Sequence, residues 1–242
     1  MSSQLSAIRQ QTTTVDWSGI RAVILDMDGT MLDTAGDFQA AINLMCAEFN
    51  FPPLTLATIL GFVGKGSEHL IECVLAVNLD RAGVTQHFSA ALAAYQRHYA
   101  GINGQHVSVY PGVVAGLDAF CAQGLRLACV TNKPIRFARE LLVQMKLDAY
   151  FDVVYGGDSL PTKKPHPGPL LRVCADFGLQ PTQVLAIGDS SNDALAARAA
   201  GCRVLNVPYG YNHGQSVQEL DSDGIVSTLQ DAAALITNRT TD

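Results

Sequence analysis

The sequence predicts an α/β fold: a parallel sheet with helices on both faces, interrupted after its first strand by an all-helical insertion. Three observations predict it. Short, continuous apolar runs recur along the chain, as strands buried on both faces require. The segments between them carry helical spacing and mostly end at glycines, and strand–helix alternation implies right-handed crossovers between parallel strands. One long stretch, residues 35–105, has helical spacing and no good strand.

Taken in order, residues 1–19 form a polar lead. The first apolar run, Ala22-Val23-Ile24-Leu25, stops at Asp26 and reads as the first strand. The insertion reads as helices over 38–49, 54–60, 68–77 and 86–100. Its flanks, Asp33-Thr34-Ala35-Gly36 and Gly101-Ile102-Asn103-Gly104, are turn-rich and suit hinges. Beyond it a helix over 113–123 stops at Gly124, and a strand follows over 127–130. Pro134 suits the first position of a helix over 135–146. A weaker strand over 151–155 precedes a helix over 169–177 closed by Gly178. Then come a strand over 184–187, a helix over 193–200 closed by Gly201, a strand over 204–207 and a weak strand over 224–226. The expected division is a lead at 1–19, an α/β core at 20–34 and 106–242, and a helical cap at 35–105.

Composition narrows the function. With 242 residues and 48% hydrophobic content, the chain can bury a core without disulfides. Its 16 Lys+Arg against 22 Asp+Glu leave a net charge of −6, which disfavours a nucleic-acid partner but not a small anionic substrate. No run is long and apolar enough for a membrane span, and the first twenty residues lack a secretory apolar block. The six cysteines form no C-x-x-C pair and fall mostly in apolar stretches, as buried free thiols of a reducing compartment do. A cytoplasmic protein is expected.

The chemistry gathers at strand ends. Asp26-Met27-Asp28-Gly29-Thr30-Met31-Leu32-Asp33 follows the first apolar run, at the edge where α/β sheets bind ligands. Two aspartates there repel each other, and a divalent cation would offset the cost. Gly29 lets the backbone turn and offer N–H groups to an anion. Taken alone this motif is equally an Asx-rich turn. The second cluster, Gly188-Asp189-Ser190-Ser191-Asn192-Asp193, tips the balance, because Asp189 leaves a strand end as Asp26 does. Asp193 suits a helix cap as well as a site. Together the carboxylates form an oxygen-rich pocket suited to Mg²⁺. Thr131-Asn132 and Lys164-Pro165 occupy the other loop positions, open both to capping or solvated roles and to phosphate binding. His166 reads as a plain loop residue. Gly61-Phe62-Val63-Gly64-Lys65-Gly66-Ser67 is no P-loop: Ile59 stands where glycine is needed, Gly66 replaces the hydroxyl residue and no strand precedes.

These motifs, in this order from about Ile20 to Ile236, resemble the haloacid dehalogenase (HAD) superfamily of phosphohydrolases. The resemblance implies a Rossmann-like core with a C1-type helical cap. It implies Asp26 as the nucleophile that becomes an aspartyl-phosphate and Asp28 as general acid and then base. Thr131, Asn132 and Lys164, with Gly29, would hold the phosphoryl oxygens. Mg²⁺ would be held by the Asp26 carboxylate, the Asp28 main-chain carbonyl and Asp189, with Asp193 supporting directly or through water. Dehalogenases lack the second aspartate, phosphonatases carry alanine there and ion-pumping ATPases threonine, so Asp28 points to phosphate esters. Gly64-Lys65-Gly66, Val109-Tyr110-Pro111-Gly112, Thr131-Asn132-Lys133-Pro134 and Tyr209-Gly210-Tyr211-Asn212 are similar to those of bacterial phosphoglycolate phosphatases. The expected substrate is therefore a small phosphorylated metabolite, 2-phosphoglycolate first, with sugar or amino-sugar phosphates and a β-phosphoglucomutase-like activity as alternatives. Lys65 or a nearby cap residue is the expected ligand of the substrate carboxylate, or else Lys65 is a solvated loop lysine. No nucleic acid and no membrane is expected as partner, and oligomeric state is not legible.

Overall fold

A computed structural model describes residues 15–237. Most of the expected polar lead lies outside the described residues.

The first strand, β1, is Ala22–Leu25, and a two-residue β2, Leu32–Asp33, follows the aspartate turn. Four helices come next: α1 (Ala35–Glu48), α2 (Leu56–Leu60), α3 (Ser67–Ala76) and α4 (Arg81–Ile102). A second two-residue strand, β3 (Ser108–Val109), returns antiparallel to β2, so the two linkers of the helical segment are hydrogen-bonded to each other. The chain then alternates: α5 (Val113–Ala122), β4 (Arg126–Val130), α6 (Ile135–Gln144), β5 (Val153–Tyr155), α7 (Gly168–Phe177) and β6 (Val184–Gly188). It ends with α8 (Ser191–Ala200), β7 (Arg203–Asn206), β8 (Gly224–Ile225) and α9 (Leu229–Thr237).

Six strands form one parallel sheet in the order β5-β4-β1-β6-β7-β8. The apolar runs are continuous because both faces are covered. Val23, Leu25, Leu127, Cys129, Leu185 and Ile187 face one apolar cluster, with Leu117 and Phe120 of α5 and Ala232 and Ile236 of α9. Their chain neighbours Ala22, Ile24, Ala128, Val130, Val184 and Ala186 face another, with Leu170 and Val173 of α7 and Ala196 and Ala197 of α8. Each fully buried Val, Leu or Ile contributes about 1.5–3 kcal/mol of transfer free energy. The helical segment carries its own core of Ile42, Met45, Ile71, Val74, Tyr95 and Tyr99.

The expected elements stand within a few residues of their places. The helix stops at Gly124, Gly178 and Gly201 end α5, α7 and α8. Pro134 is the residue before α6 rather than its first. The fourth helix of the insertion starts five residues earlier than its spacing indicates, because the Asp80 carboxylate accepts the Gly83 N–H and caps it. Of the six cysteines, four are buried, Cys73 is half-buried and Cys121 is exposed; all six are free. Among the described residues no helix is long and apolar enough to cross a membrane.

Candidate active site

The strand order dictates where a site can form. The chain leaves β1 toward β4 on one side and leaves β6 toward β7 on the other, so the switch point lies between the carboxyl ends of β1 and β6. Leu25 is in register with Ile187 of β6 and Cys129 of β4, and the Asp26 N–H donates to the Ile187 carbonyl at 3.0 Å. Asp26, Asp189 and Thr131 are thereby delivered to one edge by three adjacent strands.

Lys164, from the loop before α7, is buried with them. Its Nζ lies 2.8 Å from Asp26 Oδ1 and 2.6 Å from Asp193 Oδ1. Asp193 meets both of its expectations at once. Its Oδ2 accepts the N–H (3.2 Å) and hydroxyl (2.7 Å) of Ser190, capping α8, while Oδ1 faces the lysine. Asp189 is fixed by the Tyr211 N–H at 2.6 Å and the Thr30 hydroxyl at 3.2 Å. Burial raises the Asp26 carboxyl to about 7; Lys164 opposes the rise, and Asp193 and Asp28 add to it. Asp189 is pushed well above the usual carboxylate range, first by burial, then by Asp193 and Asp26. Burial pulls the Lys164 ammonium down, but Asp193 and Asp26 outweigh it and the net shift is upward.

These residues fit a hard divalent cation. Oxygens of Asp26, Asp189 and Asp193 lie within 4.8 Å of one another, an all-oxygen donor set of the kind Mg²⁺ takes. Asp26 Oδ1 is buried against the Lys164 ammonium at 2.8 Å.

Asp28 lines the adjoining cavity together with Asp26, Thr131, Asn132, Lys133, Phe38 and Tyr99. Its Oδ1 accepts the Thr34 hydroxyl and the Lys133 ammonium, both at 2.8 Å. Thr131 Oγ1 accepts the Lys133 N–H at 3.2 Å, leaving its own proton to give. The Asn132 side chain spends both amide protons, on the Gly64 carbonyl of the helical segment (2.9 Å) and on the Lys164 carbonyl (2.8 Å).

Gly29 is placed differently from its reading, and Lys65 takes the solvated position that was its alternative. The Gly29 N–H is donated to the Leu32 carbonyl at 2.9 Å and so is not offered to an anion. Glycine is needed there for space: a Cβ would stand 2.3 Å from Asp189 Oδ2. Gly210 makes the same room from the other side, with a Cβ position 2.2 Å from that oxygen. Lys65 is exposed and stands outside the lining of the cavity, whereas its neighbours Gly64 and Gly66 line it. His166 is a loop residue whose Nδ1 accepts the Gly168 N–H at the start of α7.

Sequence reasoning missed Lys133 and Tyr211 as parts of this site. Tyr211 Oη donates to Asp33 Oδ1 at 2.8 Å and accepts the Thr34 N–H at 2.7 Å, bracing the turn behind Asp28. For Lys133 a signal existed: a cation just before a helix N-terminus opposes the helix dipole, so something else must hold it there.

Sheet order and side chains together define a class, an α/β enzyme with an acidic switch-point site. The family model of haloacid dehalogenase-like hydrolases matches residues 23–207, and the chain belongs to that family. It is 47% identical over 222 residues to a phosphoglycolate phosphatase of Thiobacillus denitrificans, covering 90% of this chain and 96% of that protein. It is 48% identical over 217 residues to one of Nitrosospira multiformis, with the same two coverages, 90% and 96%. Among solved structures, a predicted phosphoglycolate phosphatase from Haemophilus somnus superposes with a TM-score of 0.84 at 30% identity, over 90% of this chain and 98% of that one.

Proposed function

We propose that this protein is a Mg²⁺-dependent phosphomonoester hydrolase that converts 2-phosphoglycolate to glycolate and inorganic phosphate. The observation that carries the chemistry is the buried Asp26 carboxyl, which meets the Lys164 ammonium at 2.8 Å and lines one cavity together with Asp28. The substrate follows from the relatives described above, whose likeness spans nearly their whole length.

In the first half-reaction an Asp26 carboxylate oxygen attacks phosphorus and the bond to the bridging oxygen breaks. Asp28 gives its proton to that oxygen, and glycolate leaves. In the second, water attacks the aspartyl-phosphate, its proton passes to Asp28, and phosphate departs with Asp26 restored. Lys164 and the Thr131 hydroxyl stabilise the phosphoryl oxygens, and Asn132 joins them when a phosphoryl oxygen replaces the Gly64 carbonyl as its acceptor. Held by the Asp26 carboxylate, the Asp28 main-chain carbonyl and Asp189, with Asp193 behind, a divalent cation supplies charge neutralisation that phosphoryl transfer demands. The helical segment serves as a cap that excludes water from this step. The buried free thiols support a cytosolic setting.

The test is phosphate release from phosphoglycolate and a panel of sugar phosphates, with Mg²⁺ and with chelator. Release from phosphoglycolate should require Mg²⁺ and fall at least about a thousandfold in Asp26→Asn. Metal-independent release, or sugar-phosphate isomerisation without release, would overturn the reading.

A further inference from the structure

We propose that Lys133 and Tyr99 form the subsite that recognises the carboxylate of the leaving group. The inference rests on the phosphoglycolate reading and assigns residues to it. Lys133 lies between β4 and α6, its side chain only 2% exposed. An ammonium has three protons to give, and Lys133 has one hydrogen-bonded partner among the described residues, Asp28 Oδ1 at 2.8 Å. Beyond that contact its Nζ faces aromatic rings, 4.6 Å from the centroid of Phe38 and 4.8 Å from that of Tyr99. Tyr99 brings a second donor to the same wall: its hydroxyl is buried without a hydrogen-bond partner. A cation with protons to spare and an unpaired phenol, both lining one cavity, call for an anionic acceptor.

Substrate geometry places such an acceptor there. The leaving oxygen must meet Asp28 to receive its proton, and in phosphoglycolate the carboxylate carbon is two bonds from that oxygen. The anionic end therefore falls beside Lys133 and among Phe38, Tyr95, Tyr99 and Phe137, which line this cavity. In that apolar surrounding a carboxylate is costly unless a buried cation meets it. Asp28 stays positioned when Lys133 turns to the substrate, because the Thr34 hydroxyl holds the same oxygen. A sugar-phosphate leaving group brings neutral hydroxyls to this wall and leaves the lysine without its second counter-charge. Lys65, exposed and outside the cavity, cannot play this part in the arrangement described.

The experiment compares phosphoglycolate with ethyl phosphate, which keeps the chain length and replaces the carboxylate by a methyl group. Steady-state constants are measured with saturating Mg²⁺ for the parent enzyme and for Lys133→Met, Tyr99→Phe and Lys65→Ala. The parent should strongly prefer phosphoglycolate. In Lys133→Met the ratio of the two kcat/KM values should fall about 100-fold. In Tyr99→Phe, which removes one oxygen and keeps the ring, it should fall about fivefold through a higher KM. Equal losses on both substrates in Lys133→Met would overturn the proposal, leaving Lys133 as a positioning residue for Asp28. An unchanged ratio in Tyr99→Phe and Lys133→Met, or a loss carried by Lys65→Ala instead, would also overturn it while the substrate reading stands. A parent enzyme without preference for phosphoglycolate would sink the substrate reading itself. Should Lys133→Met fail to fold, Tyr99→Phe and Lys65→Ala still decide the question.

Discussion

The Asp26 carboxyl is where the site's chemistry and the protein's stability meet. Burial raises it to about 7, against the pull of Lys164, while an unfolded chain releases the same proton near 4. Between about pH 4 and 7 the folded, metal-free protein therefore holds a proton that the unfolded chain has lost, and its stability falls as pH rises through that window. Asp189, displaced in the same direction by burial and by Asp193, adds to the effect. A divalent cation held by the ionised carboxylates, as the proposed function requires, would offset the penalty. The expected outcome is a Mg²⁺-induced rise in Tm that is small at pH 5 and grows to at least ~5 °C at pH 8. In Asp26→Asn, where this group no longer titrates, much of the pH dependence should vanish. Thermal unfolding with Mg²⁺ and with chelator checks it; a Mg²⁺ effect equal at both pH values in the parent would count against it.

One buried carboxylate pins the two linkers of the helical segment to each other. Asp37, in the first turn of α1, accepts the Gly104 N–H at 2.6 Å and the His106 N–H at 2.8 Å. The outgoing and returning linkers are thus pinned together beside the β2–β3 pair. In Asp37→Asn one oxygen becomes an N–H₂ group facing a backbone N–H, donor against donor. Its cost is about 1.5–3 kcal/mol, a hydrogen bond to a charged group lost in a buried place. Urea unfolding should report it, and limited proteolysis should show faster cleavage around residues 103–107. Unchanged stability would mean the linkers are held by the strand pair alone. Much of this architecture was legible in the sequence, where buried strands ended in aspartate or in Thr131-Asn132 and helices stopped at glycine. What escaped reading depends on partners distant along the chain. Two-residue strands such as β2 and β3 have no periodicity to show, and Asp37 looks like an ordinary first-turn acid. Lys133 becomes a site residue only because the fold lays Phe38 and Tyr99 over it, and Gly29 reads as an anion loop until Asp189 is seen to fill its place.

The whole molecule carries a net charge of −6 and gathers four aspartates at the candidate site, so the proposed anionic substrate needs cations such as Lys164 and Lys133 to offset the local charge. The arrangement described here has the helical segment drawn onto the core. The Gly64 carbonyl accepts two core amides, Asn132 Nδ2 at 2.9 Å and Asn192 Nδ2 at 3.2 Å, and Glu68 pairs with Lys163 at 2.9 Å. One backbone oxygen thus joins the helical segment to the loop after β4 and to the first turn of α8, the former through a residue proposed to bind phosphate. If a phosphoryl oxygen takes Asn132 from Gly64, Asn192 becomes the remaining amide donor to the Gly64 carbonyl during turnover. Asn192 touches none of the reacting groups, and alanine suits its position in α8. Asn192→Ala should therefore leave the fold intact but favour the open cap. Hydrogen exchange should accelerate at residues 61–67, and kcat/KM should fall about three- to tenfold, the worth of one lost hydrogen bond. Because opening also releases product, kcat should fall less than kcat/KM or rise. Exchange and kinetics both unchanged would show that the Gly64 contacts do not hold the cap, and that the linkers, the Glu68–Lys163 pair and the apolar contacts suffice.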